Sequence, residues 1–138
     1  MPLFPAITAA RGRALVVIGR LLSGTLLTLG ILGMLKTKLD ETVELTVFTV
    51  DPVTAVVWFV HGVVGVAMSV DARLAQLYLA WTGGLLVVWA LLGLALDGSP
   101  SDLFARDPAL IAMHLVGGLL ALTVAVAPPV GRLESVVG

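Results

Sequence analysis

The sequence predicts an all-α protein, a bundle of four transmembrane helices joined by short loops, and two observations support that prediction. Four long apolar stretches fill most of the chain, and each is close to the ~20 residues that a helix needs to cross ~30 Å of hydrocarbon. Only 12% of the residues are charged, whereas ordinary soluble domains contain about 25% charged residues. A water-soluble chain of 138 residues, 59% of them hydrophobic, has too large a surface for its volume to hide that apolar area. We therefore predict one transmembrane domain over residues 1–138, with helices at about 14–35, 52–70, 72–96 and 108–127.

Composition also excludes several functional classes. The formal net charge is −1, so the chain has no basic surface of the kind that binds nucleic acid. The absence of cysteine excludes disulfides, thiolate nucleophiles and cysteine-ligated metals. The sequence shows no serine–histidine–aspartate arrangement and no paired carboxylates within the apolar stretches. We expect no enzymatic activity.

The first apolar stretch resembles a signal peptide only at its start, where Arg11 and Arg13 precede it. Its length of about 21 residues exceeds the ~7–15 residues of a signal-peptide core. It ends at Lys36-Thr37-Lys38 without the small residues of a cleavage site. We therefore expect a first helix that is retained in the membrane.

Arg20 lies inside this first helix, about six residues or ~9 Å from its start. Helical side chains lean toward the N-terminus, so its guanidinium can reach back to the interface that carries Arg11 and Arg13. We interpret Arg20 as a membrane anchor. The alternative is a buried cation with a functional role.

The second and fourth helices have the clearest starts, at Asp51-Pro52 and Asp107-Pro108. In both, an aspartate that can accept hydrogen bonds from free backbone N–H groups precedes a proline suited to the first helical position. In the connection before the second helix, residues 43–47 alternate apolar and polar side chains, as strands do. A lone strand in lipid would leave its peptide groups unpaired, so we expect an interfacial segment packed on the helix ends.

The distribution of basic residues predicts the orientation, because lysine and arginine concentrate on the cytoplasmic side of membrane proteins. The side that holds the N-terminus carries five of them and the opposite side carries three. The five are Arg11, Arg13, Arg20, Arg73 and Arg132, and the three are Lys36, Lys38 and Arg106. We expect both termini in the cytoplasm and the protein in the inner membrane of a bacterial cell.

Glycines cluster in all four predicted helices. Because lipid provides no hydrophobic force between helices, their association depends on close packing, which small residues permit. No glycine-rich turn follows a strand, as a phosphate-binding loop would require. We assign helix packing to eight glycines, namely Gly24, Gly30, Gly62, Gly65, Gly83, Gly84, Gly117 and Gly118.

His61 and His114 are the distinctive polar residues of the apolar stretches. Each lies in a helix that opens with Asp-Pro, and each is followed four residues later by a glycine, Gly65 or Gly118. The second and fourth helices therefore resemble the halves of a weak parallel repeat, which places matching segments at similar depth. The positions differ by three residues, or ~4.5 Å along the axis. We expect the two histidines to lie close together in the outer half of the bundle.

Three interpretations of this histidine pair stay open, and we favour the first. Each imidazole hydrogen-bonds a neighbouring helix, through Thr25, Thr28, Thr82 or a backbone carbonyl. Alternatively, both histidines are axial ligands of one haem b. In the third interpretation, they belong to a metal, proton-relay, lipid or quinone site. Two histidines alone are too few for zinc, which takes four ligands.

Short motifs at residues 47–52, 61–65, 72–73 and 114–117 give the chain a family resemblance. On these motifs, residues 45–126 resemble a family of small actinobacterial four-helix membrane proteins catalogued as a domain of unknown function. Members usually begin the second helix with Asn-Pro-x-His-Asn. Here Asp51-Pro52-Val53-Thr54 lacks that histidine, which removes any ligand role for the position. The resemblance implies four helices and a bacterial inner membrane, and it implies no activity.

Together these features predict a non-enzymatic integral membrane protein that acts through helix–helix contacts. It would be an accessory, stabilising or scaffolding subunit, and its partners would be the lipid bilayer and other membrane subunits or a second copy. One alternative is an electron-transfer module that holds haem b between His61 and His114. Another is a transporter-like protein for small solutes or lipids, which would need polar groups at mid-depth, and this chain has few.

Overall fold

The computed structural model describes residues 7–36, 43–45, 48–95 and 107–127. They form four α-helices, α1 (Ala9–Lys36), α2 (Pro52–Met68), α3 (Ala72–Ala95) and α4 (Pro108–Val126). The predicted four-helix fold is confirmed, although α1 begins at Ala9 rather than at residue 14 and α2 ends at Met68 rather than at residue 70. The predicted end of the third helix at residue 96 lies outside the described residues.

The helices have the length and surface of membrane spans. Helices α1, α3 and α4 are long and apolar enough to cross a bilayer, and α2 is apolar but shorter. With 17 residues, α2 is at the lower limit of about 17 residues for a span. In the most apolar 18-residue segment of each long helix, only 28–33% is buried. Side chains such as Leu21, Val88 and Leu120 point outward. Such a surface is stable in lipid, so the chain is a membrane protein.

The helix starts follow the capping pattern of the sequence. The Asp51 carboxylate accepts the backbone N–H of Thr54 at 2.8 Å and also the Thr54 hydroxyl. The Asp107 carboxylate accepts the backbone N–H of Ala109 at 2.9 Å. Each aspartate thereby satisfies a backbone donor that has no partner within the helix.

Two short strands, called the hairpin below, pair with each other in the segment before α2, where an interfacial segment was expected. Strand β1 (Val43–Leu45) pairs antiparallel with β2 (Phe48–Val50), and Val43 lies opposite Val50. This pairing supplies the backbone partners that a lone strand would lack. Val50 is fully buried in one cluster with Leu26, Trp58 and other core residues, so the hairpin packs on the bundle as expected for the connecting segment.

Glycines bring α1 and α2 into backbone contact. A Cβ atom at Gly30 would overlap the backbone of Phe59, and a Cβ atom at Gly62 would overlap the backbone of Leu27. Because the two constraints are reciprocal, any side chain at either position would push the helices apart.

A second reciprocal contact joins α3 to α4. A Cβ atom at Gly83 would lie 2.8 Å from the carbonyl oxygen of Gly118, and one at Gly118 would lie 2.8 Å from the carbonyl oxygen of Gly83. The bundle therefore consists of two tightly crossed pairs, α1–α2 and α3–α4, and α1 also packs against α3.

Three of the eight glycines assigned to packing do not pack within the described residues. A Cβ atom at Gly24, Gly84 or Gly117 would meet nothing within 4 Å. No other helix among the described residues approaches these positions, so their packing role stays a prediction. Conversely, sequence reasoning did not assign a packing role to Gly19, where a Cβ atom would lie 2.6 Å from the Ser69 hydroxyl oxygen.

Candidate functional site

His114 of α4 is bound to Trp58 of α2. The indole N–H of Trp58 donates to Nε2 of His114 over 3.0 Å, and the ring centroids are 5.6 Å apart. Both residues are almost completely buried, at 1% exposure for Trp58 and 2% for His114. Sequence reasoning expected a threonine or a carbonyl on a neighbouring helix as the partner of this histidine, and the structure places a tryptophan there.

This bond fixes the tautomer of His114. An indole nitrogen only donates, so Nε2 of His114 carries a lone pair and the ring hydrogen is on Nδ1. Nδ1 is buried and has no hydrogen-bond partner of good geometry in the described part of the chain. The imidazole therefore lies in the bundle as a neutral group.

His61 makes a different contact from the one predicted. Its Nδ1 lies 2.8 Å from the carbonyl oxygen of Val57, one turn earlier in the same helix. The carbonyl can only accept, so Nδ1 donates, and in the neutral imidazole Nε2 then keeps its lone pair. His61 therefore does not bond a neighbouring helix through Nδ1, and it presents an acceptor nitrogen at its other edge.

The two histidines line the same small cavity, together with Thr54, Trp58 and Trp89. The cavity has a volume of about 20 Å³, and a single water needs roughly 10–15 Å³ on this measure. The structure therefore brings His61 and His114 to one place, as the matching positions in α2 and α4 suggested, but leaves room there for little more than one water.

This arrangement does not fit a haem held between the two histidines. An axial ligand needs a free imidazole lone pair, and that of His114 accepts the hydrogen bond from Trp58. The shared cavity, at about 20 Å³, is also far too small for a porphyrin ring. Within the described residues, no three metal-ligating side chains of histidine, cysteine, aspartate or glutamate come together.

A larger groove lies between α2 and α3, on the other side of His61. Its volume is about 450 Å³. His61 and Val64 line it from α2, and Tyr78, Trp81 and Thr82 line it from α3. His61 thus lines both the small cavity and the larger groove.

Two hydroxyl groups are buried in the wall of this groove. Tyr78 is 1% exposed and Thr82 is 0% exposed. Apart from each other, their hydroxyls have no hydrogen-bond partner among the residues that the structure describes. The Tyr78 ring lies over Gly65, where a Cβ atom would overlap it, so the absence of a side chain there makes room for the tyrosine.

The predicted anchor Arg20 lies near the end of the bundle that holds the start of α1. Its side chain is exposed, and Nε donates to the carbonyl of Ser69 at 3.2 Å, just past the end of α2. A cation is favourable here, because the last carbonyls of a helix carry partial negative charge.

A second polar contact at this end was not anticipated. Gln76 of α3 and Arg11 of α1 both donate to the carbonyl of Ala125 in α4, at 2.8 Å and 2.9 Å. Gln76 is almost fully buried. Gln76 itself could have indicated this contact, because a side-chain amide within a membrane helix must find a hydrogen-bond partner.

Comparison with known proteins assigns the chain to a family. Residues 16–127 match the model of DUF4383, described as a domain of unknown function. No curated protein and no solved structure matches the chain. The matched segment includes most of α1 and all of α2, α3 and α4, and with them the two histidines and the groove. The chain therefore belongs to the DUF4383 family.

Proposed function

We propose that this protein is a non-enzymatic membrane subunit that acts by helix–helix contact with a membrane-embedded partner. The supporting observation is the position of Gly24, Gly84 and Gly117. Apart from the adjacent backbone of the glycine's own helix, no atom of the described residues lies within 4 Å of a Cβ atom built at any of them. The three glycines therefore leave small, open positions on α1, α3 and α4.

Glycine inside a helix is unfavourable by about 1 kcal/mol relative to alanine. At Gly30 and Gly62 the close crossing of α1 and α2 requires it. At Gly24, Gly84 and Gly117 no contact among the described residues requires it. In lipid, an outward small residue allows a second helix to approach with its backbone. A partner helix at these positions supplies the contact that the single chain lacks.

The three positions lie near the middle of their helices. Each is within two residues of the middle of its own helix. Exposed side chains close to Gly24 include Thr25, whose hydroxyl is already bonded to the Leu21 carbonyl. The open positions thus favour a partner that packs at the centre of the bilayer, as another transmembrane helix does.

We place the protein in the bacterial inner membrane with both termini in the cytoplasm. One end of the bundle holds Arg11, Arg20 and Arg73. The opposite end holds Lys36, where α1 ends, and Asp51, where α2 begins. The basic end is the cytoplasmic one under the positive-inside rule.

The experiment compares leucine substitutions that fill the open positions. Gly84→Leu and Gly117→Leu add volume where the single chain has space. Ala67→Leu adds a similar volume at an exposed position of α2 and is the matched control. The protein is extracted from its native membrane in a mild detergent. The mass of the particle is measured by light scattering, and its protein composition is determined separately.

We expect wild type and Ala67→Leu to form a particle of constant composition that is larger than one chain. Gly84→Leu and Gly117→Leu should each reduce the particle to one chain, while helical content and thermal stability stay unchanged. A wild-type particle that contains a single chain in every mild detergent contradicts the proposal. So does an assembly that both glycine variants leave intact.

A further inference from the structure

We propose that the groove between α2 and α3 binds a neutral, ring-bearing amphiphile of the quinone or quinol class, which enters from the lipid phase. The groove volume of about 450 Å³ falls within the ~300–1,000 Å³ of small-molecule pockets. At its rim, Val60 is 49% exposed and Trp81 is 69% exposed. These side chains face acyl chains in a membrane, so the entrance opens sideways into lipid.

The lining of the groove selects a ligand without charge. None of its lining residues is an aspartate, glutamate, lysine or arginine. His61 lies nine residues after Pro52 and seven before Met68, which places it ~13 Å and ~10 Å from the two ends of α2. A phosphate or an ammonium group at that depth would lack a partner and would be strongly disfavoured. The charged head of a phospholipid is therefore excluded as the group that is recognised.

The polar groups in the lining select a ligand with oxygen atoms. The buried hydroxyls of Thr82 and Tyr78 have no hydrogen-bond partner other than each other among the described residues. A ligand carbonyl accepts from such a hydroxyl, and a ligand hydroxyl donates to Nε2 of His61, whose Nδ1 is held by Val57. A quinone carries the first kind of group and a quinol carries the second, so the same groove has a partner for each.

The aromatic side chains select a planar ring. Trp81 lines the groove from α3 and is 69% exposed, and aromatic faces favour offset or edge contacts with another ring. The position of Tyr78 depends on Gly65, because any side chain there would overlap the tyrosine ring. Saturated lipid chains would fill the volume but would use neither the ring faces nor the hydroxyls.

The first test uses the full chain in lipid nanodiscs and a photoactivatable probe, an azido-substituted 1,4-naphthoquinone. We expect cross-links to concentrate on peptides from α2 and α3 and to be displaced by unlabelled 2-methyl-1,4-naphthoquinone. Val64→Phe fills the groove and should reduce labelling at least tenfold. Val63→Phe adds the same volume at a position that is equally exposed but outside the groove lining, and it should label like wild type. Uniform labelling of all outward faces, or equal labelling of the two variants, overturns the proposal.

The second test asks whether the polar groups are recognised. Thr82→Val removes the buried hydroxyl and keeps the shape of the side chain, and it should weaken binding of the naphthoquinone by about threefold to tenfold. Thr25→Val is the matched control, because its exposed hydroxyl bonds only its own helix, and it should bind like wild type. Equal affinities of the two variants overturn the proposal. An azido fatty acid that labels the groove and is not displaced by the naphthoquinone shows that only an acyl chain occupies it, which also overturns the proposal.

Discussion

Trp58 and His114 form a buried hydrogen bond between α2 and α4, with 3.0 Å from the indole nitrogen to the imidazole Nε2. It joins the α1–α2 pair to the α3–α4 pair through two buried side chains. Interhelical hydrogen bonds of this kind contribute ~0.6 kcal/mol on average and up to ~1.7 kcal/mol in membranes. The bond also occupies the lone pair that a metal or haem iron would need.

Replacing Trp58 by phenylalanine should lower the free energy of unfolding by about 1–2 kcal/mol, because Nε2 of His114 loses its donor and the smaller ring packs less well. Unfolding by sodium dodecyl sulfate in mixed micelles, followed by circular dichroism, measures the change. Trp81→Phe is the control, since Trp81 is 69% exposed and its loss should have no effect. Equal stability of the two variants would show that the Trp58–His114 bond is not formed.

The glycine contacts predict opposite effects of one substitution at two positions. Gly62→Ala should destabilise the bundle by about 1–3 kcal/mol, because its methyl group overlaps the backbone of Leu27 in α1. Gly117→Ala should leave stability unchanged or raise it by up to about 1 kcal/mol, since alanine favours the helix and meets no neighbour. The same detergent titration measures both. A Gly62→Ala protein as stable as Gly117→Ala contradicts the close crossing of α1 and α2.

The carbonyl of Ala125 provides a test by double-mutant cycle. It accepts hydrogen bonds from both Arg11 and Gln76. Removing either donor by Arg11→Met or Gln76→Leu leaves the carbonyl with the other donor, so each single change should cost less than half of the double change. We expect a coupling of about 0.5–1.5 kcal/mol between the two sites. Additive effects would show that the two side chains do not share this acceptor.

Cysteine labelling tests the orientation directly, because the chain contains no cysteine of its own. Lys36→Cys and Val70→Cys introduce thiols at exposed positions on opposite ends of the bundle. The basic end should face the cytoplasm. A thiol reagent that cannot cross the membrane should therefore label residue 36 in intact cells and residue 70 only after the membrane is opened. The reverse pattern would place the termini outside.

The sequence was sufficient to predict the helices, because their start signals and apolar lengths are local properties. Asp51 and Asp107 cap α2 and α4 as their positions before proline suggested. The hairpin was harder to anticipate. Its stability depends on β1 and β2 pairing with each other, whereas strand-like alternation was recognised only for residues 43–47.

The side-chain partners could not be read from the sequence, because they depend on how each helix is rotated. His114 was expected to meet a threonine or a backbone carbonyl, and the rotation of α2 places Trp58 there instead. Gly83 and Gly84 are neighbours in the sequence. Only Gly83 contacts α4, and Gly84 faces open space. Periodicity identifies a small-residue helix, but it does not tell which of two adjacent glycines lies at the contact.

The most direct test of contact through the open glycines is photo-cross-linking in native membranes. The photoreactive residue p-benzoylphenylalanine replaces Leu120, which is 62% exposed in α4 and lies about one turn from Gly117. In a second variant it replaces Val66 of α2, which is 50% exposed and has no open glycine beside it. We expect a protein adduct of one defined mass from position 120, and we expect this adduct to disappear when Gly117→Leu is added. Position 66 should give only lipid adducts. Lipid adducts alone from both positions would contradict it.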